Sequence, residues 1–199
     1  MSDFAGRHVI VTGASSGIGL ATAKLLVARG ARVSMLARRA EVLAERVAEF
    51  GSVNAAAFAA DVGDRAKLED AISAAVHKYG PAYGLFANAG LAGNFAPATD
   101  YPSDLFENII KVNLTSVFWA MQAVLPAMIE AIHSLIAQDA RILLTAPNQG
   151  EVERLAGLLN EYHVPYRLGS RSAQHGGENV YSESSDLAGD LRTPVIVKT

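Results

Sequence analysis

Val11-Thr12-Gly13-Ala14-Ser15-Ser16-Gly17-Ile18-Gly19 carries an apolar strand into a helix through three glycines. A turn of this kind gathers unpaired backbone N–H groups and the positive end of a helix dipole at one spot, which makes a seat for a phosphate or pyrophosphate. Gly13 lets the chain turn sharply, Gly17 lets an anion approach the backbone, and Gly19 lets the helix pack close to the sheet. Ser15, Ser16 and Ile18 stand between them. The phosphate loop of nucleoside triphosphatases is excluded, since no Lys-Ser or Lys-Thr pair follows the glycines. Such a turn also occurs without a ligand, so the rest of the chain decides its meaning.

Other chemistries are bounded by composition. The 199 residues contain no cysteine, which removes disulfides and thiolate catalysis and fits a cytoplasmic location. His8, His77, His133, His163 and His175 are scattered, with no metal-ligand spacing among them. Seventeen Lys and Arg against twenty Asp and Glu leave a net charge of −3, without the basic footprint of a nucleic-acid or anionic-membrane partner. The longest apolar stretch, residues 117–137, is broken by Gln122, Pro126, Glu130 and His133 and reads as a buried helix rather than a membrane span.

The elements that must hold the glycine turn alternate in type. Strand-like runs at 7–13, 31–37, 55–61 and 83–90 are separated by helical periodicity at 18–29, 40–50 and 65–79. Residues 104–137 read as two helices. A buried strand at 141–146, a helix at 150–162, a short strand at 165–170, a polar loop at 171–179, a strand at 180–184 and a closing strand at 193–199 follow. Repeated strand-helix units with right-handed crossovers build a parallel sheet covered on both faces. The expected fold is α/β, a three-layer Rossmann-like doubly wound domain over 1–199 with one continuous, mostly parallel sheet.

The pattern Thr12-Gly13-x-x-x-Gly17-x-Gly19, with Asp61-Val62, Asn88-Ala89-Gly90 and Val112-Asn113 further on, resembles the short-chain dehydrogenase/reductase family. The resemblance implies that Asp61 and Val62 sit against an adenine. It puts Asn88, Ala89 and Gly90 beside a ribose, where they steady the sheet, and makes Asn113 a member of a catalytic tetrad. An acidic residue after the second strand would select NAD through the ribose 2′-hydroxyl, but this chain has Ala37-Arg38-Arg39 there. A guanidinium pairs with a 2′-phosphate, so NADP is the expected cofactor; a solvated helix start is the other reading of the pair.

The same resemblance calls for a tyrosine with a lysine four residues on, because a phenol near pKa ~10 needs a cation to act as an acid at neutral pH. Lysine occurs only at 24, 67, 78, 111 and 198, and none follows a tyrosine at that spacing. Thr145 and Pro147 stand near the place of the family's serine. Of the tetrad only Asn113 remains, as a vestige expected to bridge backbone groups within its helix. From about residue 131 the chain instead resembles a small α/β domain of bacterial transcription-repair coupling factors, carried by the strand 141–146, Glu151-Val152-Glu153-Arg154-Leu155 and the closing strands. Two resemblances meeting near Glu130-Ala131 imply a catalytically inactive, engineered or recombined chimera, built from a 1–130 cofactor half and a 131–199 half, with NADP(H) binding retained. One alternative is an NADP-dependent short-chain oxidoreductase whose acid is Tyr162 or Tyr166. Another is a structural or protein-interaction module without a ligand.

Overall fold

The computed structural model describes residues 4–51, 53–138, 143–146, 148–164, 166–168 and 195–198. The chain divides into two compact units, Met1–Met128 and Ile129–Thr199.

The first unit contains β1 (His8–Thr12), α1 (Gly17–Ala28), β2 (Arg32–Ala37), α2 (Ala40–Phe50), β3 (Ala55–Ala59), α3 (Arg65–Tyr79) and β4 (Gly84–Phe86). Its four strands pair in parallel in the order β3-β2-β1-β4. Every residue of β1 is buried, as expected of a central strand covered by helices on both faces. Side chains alternate between two cores: Val9, Val11, Val33 and Met35 meet Ala23 of α1 and Leu43 of α2, while Ile10 and Leu36 meet Leu68, Ala71, Ile72 and Ala75 of α3. The chain passes from β3, at one edge, back to β4 on the far side of β1. That reversal opens a crevice between β1 and β4 at the carboxyl ends of the strands. Local signals fix the helices around it; Asp64 caps α3 by accepting from the Lys67 amide at 3.2 Å.

Residues 103–137 form one helical run rather than two separate helices. α4 (Ser103–Ile110) enters a wider π-type turn, Lys111–Thr115, and continues as α5 (Ser116–Ala137). Val112, Ser116, Ala120 and Val124 recur every four residues and are buried, and Ser116 donates its hydroxyl to the Val112 carbonyl at 2.6 Å. Phe106, Ile110, Leu114 and Phe118 form an opposite, exposed stripe. The expectation of a buried helix therefore holds for one face only. By length and composition the run is apolar enough to cross a membrane, and 22% of its most apolar window is buried.

The second unit holds β5 (Leu143–Ala146), α6 (Gln149–Glu161), β6 (Arg167–Leu168) and β7 (Val195–Lys198), with parallel strands in the order β5-β7-β6. Val152, Leu159 and Val164 form its core with Ile129, Ile132 and Ile136. The α/β, Rossmann-like class with parallel strands and flanking helices is the observed one. The described strands pair as two sheets, one of four strands and one of three. Apolar runs mark strands, but pairing partners are chosen by contacts distant in sequence. The expected loop at 171–179 and strand at 180–184 lie outside the described residues.

His8 illustrates how this fold uses a polar residue in a central strand. It is 3% exposed, its Nδ1–H donates to the Gly80 carbonyl at 2.7 Å, and its Nε2 accepts from the Ser34 hydroxyl at 2.8 Å. Burial holds the imidazole below its usual 6.5, against the backbone hydrogen bond that favours the charged form. The unfolded imidazole takes up a proton that the folded one resists, so stability is full above about pH 6.5 and declines as pH falls below it. The melting temperature should drop between pH 7.5 and 5.5, and His8→Gln should flatten that drop in thermal melts at the two pH values. Equal drops in both proteins would remove His8 as its source.

Candidate functional site

The glycine turn sits where β1 ends, at the β1/β4 crevice. Gly13 (φ 66°) and Gly17 (φ 57°) both occupy the left-handed region that side chains disfavour. A Cβ at Gly13 would lie 2.9 Å from the Ala89 Cα and 2.9 Å from the Asn88 Nδ2. At Gly19 it would lie 2.4 Å from the Gly13 carbonyl oxygen and 2.6 Å from the Asn88 Nδ2, whereas at Gly17 it would meet open space. Gly13 and Gly19 thus let three backbone segments converge, and Gly17 leaves its backbone open at the start of α1. Ser16, the N-cap, makes no side-chain hydrogen bond to the helix, so its hydroxyl does not cap the first-turn N–H groups. Ile18, on that turn, is 72% exposed.

Thr12 ties this turn to the one after β4. Its Oγ1 accepts from the Asn88 and Ala89 amides, both at 3.0 Å, while Asn88 Nδ2 donates to the Thr12 carbonyl at 3.2 Å. Thr12 stands in the glycine motif, and a hydroxyl at the end of a buried strand is the signal in the sequence for this role.

A cleft of about 310 Å³ opens over these segments. Its wall includes Gly13, Ser15, Ser16, Arg38, Arg39, Asp61, Val62, Asn88, Ala89 and Gly90, so residues from four separate stretches of sequence meet at one place. Gly17, Ile18 and Gly19 lie outside that wall, in the adjoining first turn of α1. Ala37 and Val112, which stood in the sequence motifs, also line the cleft, as do Ala60 and Leu91, which were not singled out but adjoin residues that were. Asp61 Oδ1 accepts from the Gly63 amide at 2.9 Å, and Val62 is buried. Arg38 and Arg39 are exposed at the end of β2 and the start of α2, and among the described residues neither is held in an ion pair. The cleft therefore offers backbone donors at one side and two guanidinium groups at another.

Asn113 lies in the π-type turn. Its Oδ1 accepts from the Leu91 amide at 2.7 Å and its Nδ2 donates to the Leu91 carbonyl at 3.0 Å. The expected bridge within its own helix is corrected: Asn113 fastens the loop after β4 to that helix. The described wall contains no tyrosine, histidine or lysine. Lys111 is exposed in the π-type turn and Lys198 ends β7. Tyr162 follows α6, and the hydroxyl of Tyr166 accepts from Asn160 Nδ2 at 3.2 Å within the second unit. Thr145 lies in β5; Pro147 lies outside the described residues.

A sequence profile described as short chain dehydrogenase matches residues 7–157. Levodione reductase from Leifsonia aquatica is 32% identical over 143 residues, covering 70% of this chain and 54% of that protein. A 2,5-dichloro-2,5-cyclohexadiene-1,4-diol dehydrogenase from Sphingobium indicum is 34% identical over 200 residues, covering 98% of this chain and 77% of that protein. Among solved structures, 3-ketoacyl-(acyl-carrier-protein) reductase from Brucella melitensis complexed with NADH has a TM-score of 0.65 at 26% identity, covering 82% of this chain and 75% of that one. The chain spans about half the length of several curated relatives it matches. These findings overturn the reading of an inactive chimera. The profile runs through residue 130 to 157 without a break, the Sphingobium likeness extends along nearly the whole chain, and the named relatives are reductases and dehydrogenases. A coupling-factor segment finds no support.

Proposed function

Because this chain belongs to the short chain dehydrogenase family, we propose that it is an oxidoreductase that binds NADP(H) in the cleft over β1 and β4 and interconverts an alcohol and a carbonyl. The observation that carries this reading is the open backbone at Gly17, next to the part of the cleft wall formed by Gly13, Ser15 and Ser16. The glycine is held at φ 57° with open space where a side chain would stand, beside a helix start that no serine hydroxyl caps. That open approach to an uncapped helix start fits a pyrophosphate, and the exposed Ile18 beside it offers apolar cover.

When bound, the dinucleotide supplies the hydride donor or acceptor. The chain's own residues bind and orient it: the Ser15–Gly19 backbone at the pyrophosphate, Asp61 and Val62 at the adenine, and Asn88, Ala89 and Gly90 at the ribose. Arg38 and Arg39 take the 2′-phosphate through charge-assisted hydrogen bonds that an unphosphorylated ribose cannot make. Among the described residues the cleft wall holds no tyrosine, histidine or lysine to give up the proton of carbonyl reduction.

The test is a titration with NADPH and NADH, followed by turnover of a panel of ketones and secondary alcohols. NADPH should bind more tightly than NADH and be consumed with a carbonyl substrate. Arg38→Ala should weaken NADPH about ten-fold, a value kept low because the arginine is exposed and solvent-screened, and should leave NADH nearly unchanged. Equal losses for the two cofactors would remove the 2′-phosphate assignment. Absence of both binding and turnover would remove the function.

A further inference from the structure

The chain leaves the cleft wall at Gly90 and Leu91 and crosses an irregular stretch before α4. Two side chains from beyond that stretch reach back to hold it. One is Asn113, which takes both backbone groups of Leu91. The other is Tyr101, whose hydroxyl accepts from the Asn94 amide at 3.2 Å. A Cβ at Gly93 would stand 2.3 Å from the Tyr101 hydroxyl oxygen and 3.0 Å from Ile109 Cδ1, so the Gly93 backbone is pressed directly onto that hydroxyl and onto α4. A side chain at position 93 would require the Tyr101 hydroxyl to move aside.

We propose that Tyr101 is a positioning residue of the dinucleotide site: its hydroxyl fixes residues 93 and 94 so that Gly90 and Leu91 keep their place in the cleft wall. The inference rests on the reading of that cleft as a dinucleotide site. A loop that is ordered only when a ligand arrives subtracts its ordering from the affinity, and one already pinned does not. Asn113 holds Leu91 and Tyr101 holds Asn94, so the segment leaving the cleft wall is tied at two points.

The experiment uses the full chain, Tyr101→Phe, Gly93→Ala and the double variant, with NADPH affinity read by fluorescence titration and unliganded stability by thermal melting. Tyr101→Phe keeps the ring and loses only the acceptor, so NADPH affinity should fall roughly three- to ten-fold, the size of one lost hydrogen bond, with the melting temperature almost unchanged. Gly93→Ala should weaken binding further. The double variant should bind better than Gly93→Ala alone, because the oxygen its new methyl would strike is gone. Tyr101→Phe binding NADPH as well as the unmodified chain does, or losing melting temperature in step with affinity, would overturn the proposal while leaving the cofactor reading intact. No rescue in the double variant would also overturn it. No NADPH binding by the unmodified chain would overturn the dinucleotide reading and this inference with it.

Discussion

Gly19→Ala should lose NADPH binding by more than ten-fold and melt roughly 5–10 °C lower than the unmodified chain. The new methyl would lie 2.4 Å from the Gly13 carbonyl oxygen, 2.9 Å from the Gly13 carbonyl carbon and 2.6 Å from Asn88 Nδ2. Two of those atoms are backbone at the end of a central strand, and they cannot retreat without moving Thr12 or the start of α1. Overpacking of this kind costs about 1–3 kcal/mol. It would also push Asn88 away from the Thr12 carbonyl that it now reaches at 3.2 Å. Gly17→Ala is the informative contrast. Its methyl meets open space, so the loss of stability should be limited to the left-handed backbone, about 1–2 kcal/mol. Affinity should nevertheless fall as far as in Gly19→Ala, because the methyl stands where the pyrophosphate is proposed to lie. Thermal melts and NADPH titrations of the two variants separate a structural glycine from a ligand-facing one. A Gly17→Ala variant that binds normally, or one that melts lower than Gly19→Ala, would contradict the roles assigned here.

The contrast also shows what kind of information the sequence held. Helices α2 and α3 begin and end at the residues that periodicity indicated, Ala40–Phe50 and Arg65–Tyr79, because their limits are set by neighbours in the chain: Asp64 caps one, and Gly51 and Gly80 end both. The glycine turn was legible for the same reason. What escaped were relations between distant residues. Thr12 meets Asn88 across 76 positions and Asn113 meets Leu91 across 22, and no spacing rule announces either. Strand pairing in the second unit belongs to the same class. The π-type turn at Lys111–Thr115 escaped because it leaves no break in helical periodicity. The supposed join near residue 130 had another cause. A short strand-helix-strand passage is common to many α/β proteins, so its likeness to one of them carries little. The change in the text there falls beside the boundary between two compact units, Met128 and Ile129, within a chain whose family likeness continues to residue 157.

Thr12→Val should destabilise the protein more than Thr12→Ser, the reverse of what apolar burial and strand propensity would give. Thr12 is 3% exposed at the end of a strand covered on both faces, where valine fits in size and favours the extended backbone. Its Oγ1, however, is the acceptor for the Asn88 and Ala89 amides at 3.0 Å each. Valine removes the acceptor from both at once. An unsatisfied buried donor costs about 1–3 kcal/mol, and partial access to water keeps the pair near the lower end, about 2–4 kcal/mol together. For a chain of this length that is a fall of roughly 5–12 °C in melting temperature. Serine keeps the acceptor and loses one methyl, about 1 kcal/mol. Because the released turn, residues 88–90, forms part of the cleft wall, Thr12→Val should also weaken NADPH while Thr12→Ser largely preserves it. Thermal melts and cofactor titrations should therefore rank both properties as Thr, Ser, Val in descending order. If valine matched or exceeded serine, the two amides would have found other acceptors, and the hydroxyl would not be what holds the turn after β4 against the glycine turn after β1.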